Sequence, residues 1–197
     1  MTRESLAFAL SGTFFGLLVG WIIGSQMVAS SPPSTVSQTA GVAAPAAQPP
    51  ALDSARITRL EQQAAAEPDN ASVRTELGNL YFDAERPDLA IPWYEAAARL
   101  NPSDVNVSTD LAVSYYYTNQ ADRALEQIEQ SLSIDSSHLK TLLNQGIIRA
   151  FGKQDLAGAA ESWERVVAIA PNSPEGQRAQ QGLNGLRTAH DGGAAGG

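Results

Sequence analysis

The feature that most constrains this sequence is a repeat, because one pattern of large and small residues returns every 34 positions. Within residues 71–102 the marker positions are Leu77, Gly78, Tyr81, Ala90, Tyr94, Ala97 and Pro102. One period later the equivalent positions hold Leu111, Ala112, Tyr115, Ala124, Ile128 and Ser131. In a third copy, Ala159, Trp163 and Val166 fall one residue late, which predicts one extra residue in the turn 152–158. The pattern therefore indicates a stack of similar units.

Each unit contains two helical runs joined by a turn, and a proline closes the first and third units. This arrangement resembles the tetratricopeptide repeat. The resemblance implies an all-α solenoid of about three helix pairs, with units at 71–104, 105–138 and 139–172. Its predicted A and B helices are 71–84 and 87–100, 103–118 and 121–134, and 137–151 and 155–170.

Two further helices are predicted to cover the ends of the array. The segment 53–67 has an N-cap at Asp53 or Ser54, and its apolar face is formed by Ile57, Leu60 and Ala64. The segment 173–190 is capped by Ser173 and places Leu183 and Leu186 against the last repeat. Terminal helices of a solenoid need a polar outer face for solubility. The Gly-rich end at 191–197 is predicted to be disordered.

Residues 6–28 are predicted to form a transmembrane helix. No charged residue occurs between Glu4 and Asp53, and about 20 apolar residues span a hydrocarbon core of ~30 Å. Arg3 precedes this run, so the positive-inside rule places residues 1–5 in the cytoplasm and the array on the extracytoplasmic side. A cleaved signal peptide is the alternative, because small residues follow the run, although the run is long for that role.

Glycines recur at a four-residue spacing within the predicted transmembrane helix, at Gly12, Gly16, Gly20 and Gly24. Small residues at this spacing let a second helix approach closely in lipid. We therefore expect a helix-packing stripe for a membrane partner or a second copy, although glycine is also common in membrane helices in general. The following segment, 29–52, is rich in Pro, Ala and Ser and is predicted to be an extended linker.

Composition argues against several classes of function. The formal net charge is -8, so the basic surface that would neutralise nucleic-acid phosphates is not expected. The absence of cysteine excludes disulfides, thiolate metal sites and thiol nucleophiles. His138 and His190 are the only histidines, and neither stands in a metal-binding or triad spacing. We therefore expect no enzyme activity, no metal and no cofactor, and a protein or peptide partner.

The resemblance assigns partner binding to a concave groove lined by the A helices. The corresponding residues are Thr75, Asn79, Phe82, Asp83, Asn106, Thr109, Val113, Tyr116, Tyr117, Lys140, Leu143, Ile147 and Phe151. We expect the four aromatic residues of this set to provide the main contacts, because large rings supply contact area at a low entropic cost. Packing of Tyr116 and Phe151 against the next repeat is the alternative. The groove is expected to be more apolar than ionic.

One subset of the resembled family grips the terminal carboxylate of chaperone tails with Lys and Asn. This chain keeps Asn79 and Lys140, but Thr75 replaces a basic residue of that clamp and Asp110 replaces an Asn. Because a carboxylate repels another carboxylate, the clamp is not predicted.

The predicted layout is similar to that of bacterial envelope proteins with a membrane anchor and periplasmic repeats. Some of those proteins serve cytochrome c maturation or translocon-associated quality control. We therefore expect a membrane-anchored adaptor that binds a partner in its groove. The alternative is a structural or assembly subunit that docks into a larger membrane complex through its glycine-striped helix.

Overall fold

The computed structural model describes residues 52–194, with side chains described for residues 52–189. This part of the chain is all-α, with eight α-helices and one π-helical turn. The elements are α1 (Ser54–Ala66), α2 (Ala71–Asp83), α3 (Pro87–Leu100), α4 (Val105–Tyr117), α5 (Ala121–Ile134), α6 (Leu139–Ile147), the π turn (Ile148–Gly152), α7 (Leu156–Ile169) and α8 (Pro174–Ala194). Three helix pairs, α2 with α3, α4 with α5 and α6 with α7, pack in sequence, and α1 and α8 flank them.

The predicted cytoplasmic segment, transmembrane helix and all but the last residue of the linker lie outside the described residues. Within the part of the chain that is described, no helix combines the length and the hydropathy that crossing a bilayer requires. The membrane anchor therefore stays a prediction from the sequence.

Short polar side chains define where several helices begin. Asp53 Oδ1 accepts a hydrogen bond from the Arg56 amide at 3.0 Å, and Ser173 Oγ accepts one from the Gly176 amide at 2.9 Å. These two contacts confirm the predicted caps of the end helices. Asp104 accepts from two amides of the first turn of α4, and α4 therefore begins at Val105, two residues later than predicted.

The turn between the A and B helices contains one residue with a positive φ angle in every repeat. Glu85, Asn119 and Gln154 have φ angles of 58°, 61° and 58°, which is the left-handed region. In the first two repeats the following amide reaches back to the A helix, as Arg86 N to Tyr81 O and Gln120 N to Tyr115 O, both at 2.9 Å. This pattern satisfies carbonyl groups that the helix end would otherwise leave unpaired.

The extra residue of the third repeat lies in the π turn. The left-handed residues are 34 positions apart from Glu85 to Asn119 and 35 apart from Asn119 to Gln154. The Lys153 amide donates to Ile148 O at 3.2 Å, a bond that closes the wider turn. The predicted location, the turn 152–158, was therefore too late, because the π turn Ile148–Gly152 that follows α6 takes up the extra residue.

The buried side chains form three clusters along the array. The first joins α1 to α2 and contains Ile57, Leu60, Ala64, Val73 and Leu77, which confirms the predicted apolar face of the capping helix. The second joins the first two repeats around Tyr94, Leu111 and Ile128. The third joins the last repeat to α8 around Trp163, Ala179 and Leu183.

The last helix is longer than predicted. Helix α8 continues to Ala194, so residues 191–194 of the predicted disordered tail are helical, and residues 195–197 lie outside the described part. Once Ala179 and Leu183 fix the first turns of α8 against Trp163, each further residue adds one hydrogen bond without a new nucleation step.

Candidate partner-binding groove

The A helices α2, α4 and α6 carry the residues that were predicted to line a groove. Asn79, Asn106 and Lys140 are exposed, and Phe82, Val113, Tyr116 and Ile147 are half-buried. Tyr117 and Phe151 retain 44% and 38% of their surface, which is high for aromatic side chains. The A helices therefore present accessible aromatic surface beside polar groups.

Three aromatic rings from two repeats meet on this surface. The ring centroids of Phe82 and Tyr117 are 5.7 Å apart with an interplanar angle of 67°, an edge-to-face arrangement. The centroids of Tyr116 and Tyr117 are also 5.7 Å apart, at 56°. We call Phe82, Tyr116 and Tyr117 the aromatic cluster. Edge-to-face contacts contribute about 0.5–1.5 kcal/mol beyond burial, so α2 and α4 hold these rings in a defined arrangement.

The π turn brings Phe151 into register with the aromatic cluster. Phe82, Tyr116 and Phe151 each lie three residues before a left-handed residue of the A to B turn. Without the inserted residue, Ala150 would occupy that position, but it is instead buried in the third core cluster. A constant period of 34 aligns Tyr116 with Ala150, so the sequence pattern does not predict the equivalence of Phe151 with Tyr116.

Two of the predicted groove residues belong to the core instead. Leu143 is only 7% exposed and packs with Trp163, whose indole N–H donates to the Leu143 carbonyl at 3.2 Å. Thr109 is fully buried, and its hydroxyl lies 2.6 Å from that of Thr141. Both predictions are wrong as surface assignments, because α6 turns Leu143 toward α7 and α4 turns Thr109 toward α6.

Polar groups flank the aromatic cluster. The Tyr94 hydroxyl donates to Asn79 Oδ1 at 2.7 Å. The side chain of Asn79, a predicted groove residue, is therefore positioned by a side chain of the core. Burial raises the pKa of Tyr94, and the carboxylates of Asp110 and Asp83 raise it further.

Lys140 forms an ion pair that the sequence did not reveal. Its Nζ donates to Asp110 Oδ1 at 2.5 Å and connects α6 to α4. Burial raises the pKa of Asp110, Lys140 opposes that change, and Asp104 and Asp83 add to it. Lys140, a predicted groove residue, is therefore already paired with the Asp110 carboxylate of the same chain. A residue spacing of 30 between different helices gives no local signal from which this pair could be found.

The described residues contain no group of three or more His, Asp or Glu side chains that could hold a metal ion. His138 precedes α6, and its Nδ1 lies 2.7 Å from the Thr141 hydroxyl. The arrangement of the A helices is suited to contact with another chain, since it combines fixed aromatic rings with polar groups at their edge.

The stacked helix pairs define an α-solenoid of the helical-repeat class. Residues 56–105 match the tetratricopeptide repeat family. Among solved structures, the first TPR domain of Spaghetti (RPAP3), bound to the HSP90 peptide SRMEEVD, is 27% identical with a TM-score of 0.56 and covers 61% of this chain and 93% of its own. The first TPR domain of human RPAP3 is 26% identical with a TM-score of 0.56, and it covers 64% of this chain and 97% of its own.

YrrB, a TPR protein with an unusual peptide-binding site, shares the fold at 23% identity and a TM-score of 0.58, over 64% of each chain. No curated protein sequence matches this chain. The family match and the solved structures support the tetratricopeptide repeat family for this array. Repeats of this family are modules for protein interaction.

Proposed function

We propose that this protein is an adaptor that holds a peptide or protein segment on the surface formed by α2, α4 and α6. The observation that carries the proposal is the aromatic cluster, in which Tyr117 stays 44% exposed although it contacts Phe82 from the preceding repeat. A ring that is fixed before binding loses little conformational freedom when a partner covers it. Support comes also from RPAP3, whose TPR domains have been solved with HSP90 and HSP70 peptides.

The proposal is tested by crosslinking the full-length chain in its native membranes and identifying what is captured. The variant Tyr117→Ala/Phe151→Ala is expected to lose at least one partner that the wild type captures, because truncating central aromatic contacts costs about 2 kcal/mol or more. Glu129→Gln, an exposed position on α5, is the matched control and should retain the partner. Melting curves must show that both variants are folded. An unchanged capture profile in the folded double variant would remove the proposal.

The second part of the proposal is that residues 6–28 anchor the array to the cytoplasmic membrane, with the N-terminus inside and the repeats in the extracytoplasmic space. It is supported by the uncharged apolar run and by Arg3 on its N-terminal side. The chain has no cysteine, so each introduced cysteine is unique. Ser133→Cys, an exposed site on α5, should react with an impermeant maleimide before lysis, and Thr2→Cys only after it. The reverse result would contradict this orientation.

A structural or assembly subunit of a larger membrane complex is the second candidate. Its specific support is the unbroken spacing of Gly12, Gly16, Gly20 and Gly24. The variant Gly16→Ile/Gly20→Ile tests this candidate. The subunit is favoured if this variant loses co-purifying membrane proteins while Tyr117→Ala/Phe151→Ala retains its captured partners. Loss only with Tyr117→Ala/Phe151→Ala favours the adaptor.

A further inference from the structure

We infer that the groove selects partner segments of net positive charge in which a basic side chain stands next to an apolar one, and that it rejects acidic tails. This inference rests on the proposed function and concerns the chemistry of the segment that is bound. The segment that we infer differs from the peptide SRMEEVD of the RPAP3 complex, in which two Glu and one Asp outnumber the single Arg.

The first observation is the position of carboxylates beside the aromatic cluster. Asp83 follows Phe82 directly, is exposed, and ends helix α2. Asp110 lies on α4 together with Tyr116 and Tyr117. Asp83 lies one turn after Asn79 on α2, and Asn79 Oδ1 accepts a hydrogen bond from the Tyr94 hydroxyl at 2.7 Å. Besides burial, the charges of Asp110 and Asp83 both raise the pKa of Tyr94. Apolar rings and negative charge therefore share one surface.

The second observation is that this negative charge is only partly balanced. Burial and the carboxylates of Asp104 and Asp83 raise the pKa of Asp110, whereas Lys140 lowers it. Lys140 is committed to Asp110 at 2.5 Å. Asp104 accepts two amide hydrogen bonds at the start of α4. A cationic side chain of a partner would complete the balance, and an anionic one would increase the repulsion.

The third observation is that the same chain already holds an arginine in this way. Arg123 Cζ lies 4.0 Å from the centroid of the Tyr115 ring. Its Nη2 donates to the Tyr115 hydroxyl at 2.8 Å and lies 3.3 Å from Glu95 Oε1. The Arg123 guanidinium therefore lies over the face of the Tyr115 ring and next to the Glu95 carboxylate. Tyr117 contacts Phe82, and Asp83 follows Phe82 at the end of α2, so a partner that reaches this ring also reaches the helix end that carries the Asp83 carboxylate.

The test uses the full-length chain in a non-ionic detergent and three fluorescent peptides. One alternates Leu with Arg, the second alternates Leu with Glu, and the third is SRMEEVD. We expect the Arg peptide to bind about tenfold or more tightly than either acidic peptide at low salt, with a smaller ratio at high salt. Asp83→Asn should weaken the Arg peptide roughly fivefold to tenfold and leave the Glu peptide unweakened.

Glu129→Gln is the matched control, because it removes one exposed carboxylate from α5, outside the aromatic cluster. An equal loss in Asp83→Asn and Glu129→Gln would assign the preference to net charge and overturn the inference. Equal binding of the Arg and Glu peptides, with both lost in Tyr117→Ala, would overturn the inference and leave the proposed function standing. Binding of none of the peptides, or binding that Tyr117→Ala leaves unchanged, would count against both.

Discussion

Pairs of residues of complementary size hold each A helix against its B helix. Gly78 faces Tyr94, and a Cβ built on Gly78 would lie 2.5 Å from Tyr94 Cε1. Gly146 faces Trp163 in the same way, and its added Cβ would meet the indole nitrogen. The second repeat has Ala112 and Ile128 at the equivalent positions, and both are fully buried. In each repeat, therefore, a larger side chain on the B helix packs against a smaller residue on the A helix.

Gly78→Ala is expected to lower the free energy of unfolding by about 1–3 kcal/mol, because the methyl group overlaps the Tyr94 ring. Gly185→Ala on α8 is the matched control, since nothing lies within 4 Å of its added Cβ. The control should raise helix stability by up to ~1 kcal/mol. Urea denaturation followed by circular dichroism measures both.

A second variant separates this overlap from other causes. Gly78→Ala/Tyr94→Ile recreates the Ala and Ile pair of the second repeat, so its unfolding free energy should exceed the value expected from adding the two single changes. If the changes in unfolding free energy of Gly78→Ala and Tyr94→Ile simply add, the residues at positions 78 and 94 do not restrict each other's size. A neutral Gly78→Ala would lead to the same conclusion.

The contact between the second and third repeats is polar at its centre. The Thr109 hydroxyl of α4 lies 2.6 Å from the Thr141 hydroxyl of α6, and Thr141 also contacts His138 Nδ1 at 2.7 Å. Within the second repeat, the Ser131 hydroxyl of α5 donates to Ser108 Oγ of α4 at 2.8 Å. Helix α5 packs less extensively on α6 than α3 packs on α4. The Thr109 and Thr141 hydroxyls are therefore a buried polar contact that joins the second and third repeats.

Thr109→Val is expected to cost about 1–3 kcal/mol, because it leaves a buried hydroxyl of Thr141 with one partner fewer. Thr109→Val/Thr141→Val should cost less than the sum of the single changes by about 1 kcal/mol, since both hydroxyls of the pair are then absent. Thr188→Val, exposed on α8, should stay within about 0.5 kcal/mol of wild type. Denaturant unfolding provides the comparison, and strictly additive costs would contradict the coupling.

The tyrosines of the array are all at least partly shielded from water. The pKa is raised at all five tyrosines, with burial as the first cause, and reaches about 12 at Tyr115 and Tyr116. At Tyr115 the hydrogen bond to Glu95 adds to burial. In the unfolded chain these hydroxyls lose their protons near the ordinary value of about 10. Deprotonation therefore favours the unfolded state.

We expect stability to be complete below about pH 10 and to fall as the pH rises toward the folded pKa values near 12. The contribution of Tyr115 alone is on the order of 1–2 kcal/mol. Absorbance at the tyrosinate band should rise at higher pH in the native protein than in the urea-unfolded chain. Tyr115→Phe should reduce the alkaline loss, and superimposable native and unfolded titrations would contradict the prediction.

Local signals in the sequence were enough to predict the number of helix pairs, most helix ends to within about one residue, and the apolar face of the first capping helix. Helices α3 and α5 have the predicted bounds, and Ile57, Leu60 and Ala64 are buried as predicted. These features depend on periodicity, on caps and on turn residues, all of which act within a few positions along the chain.

Packing between helices, by contrast, selects which A-helix residues reach the surface. Leu143 and Thr109 fit the groove pattern of the repeat, yet packing against α7 and α6 buries them. The π turn that aligns Phe151 with Tyr116, and the Lys140 to Asp110 pair, also depend on neighbouring helices. The physical reason is that helix rotation is fixed by packing between elements, and residues 30 or more positions apart leave no periodic trace of such a contact.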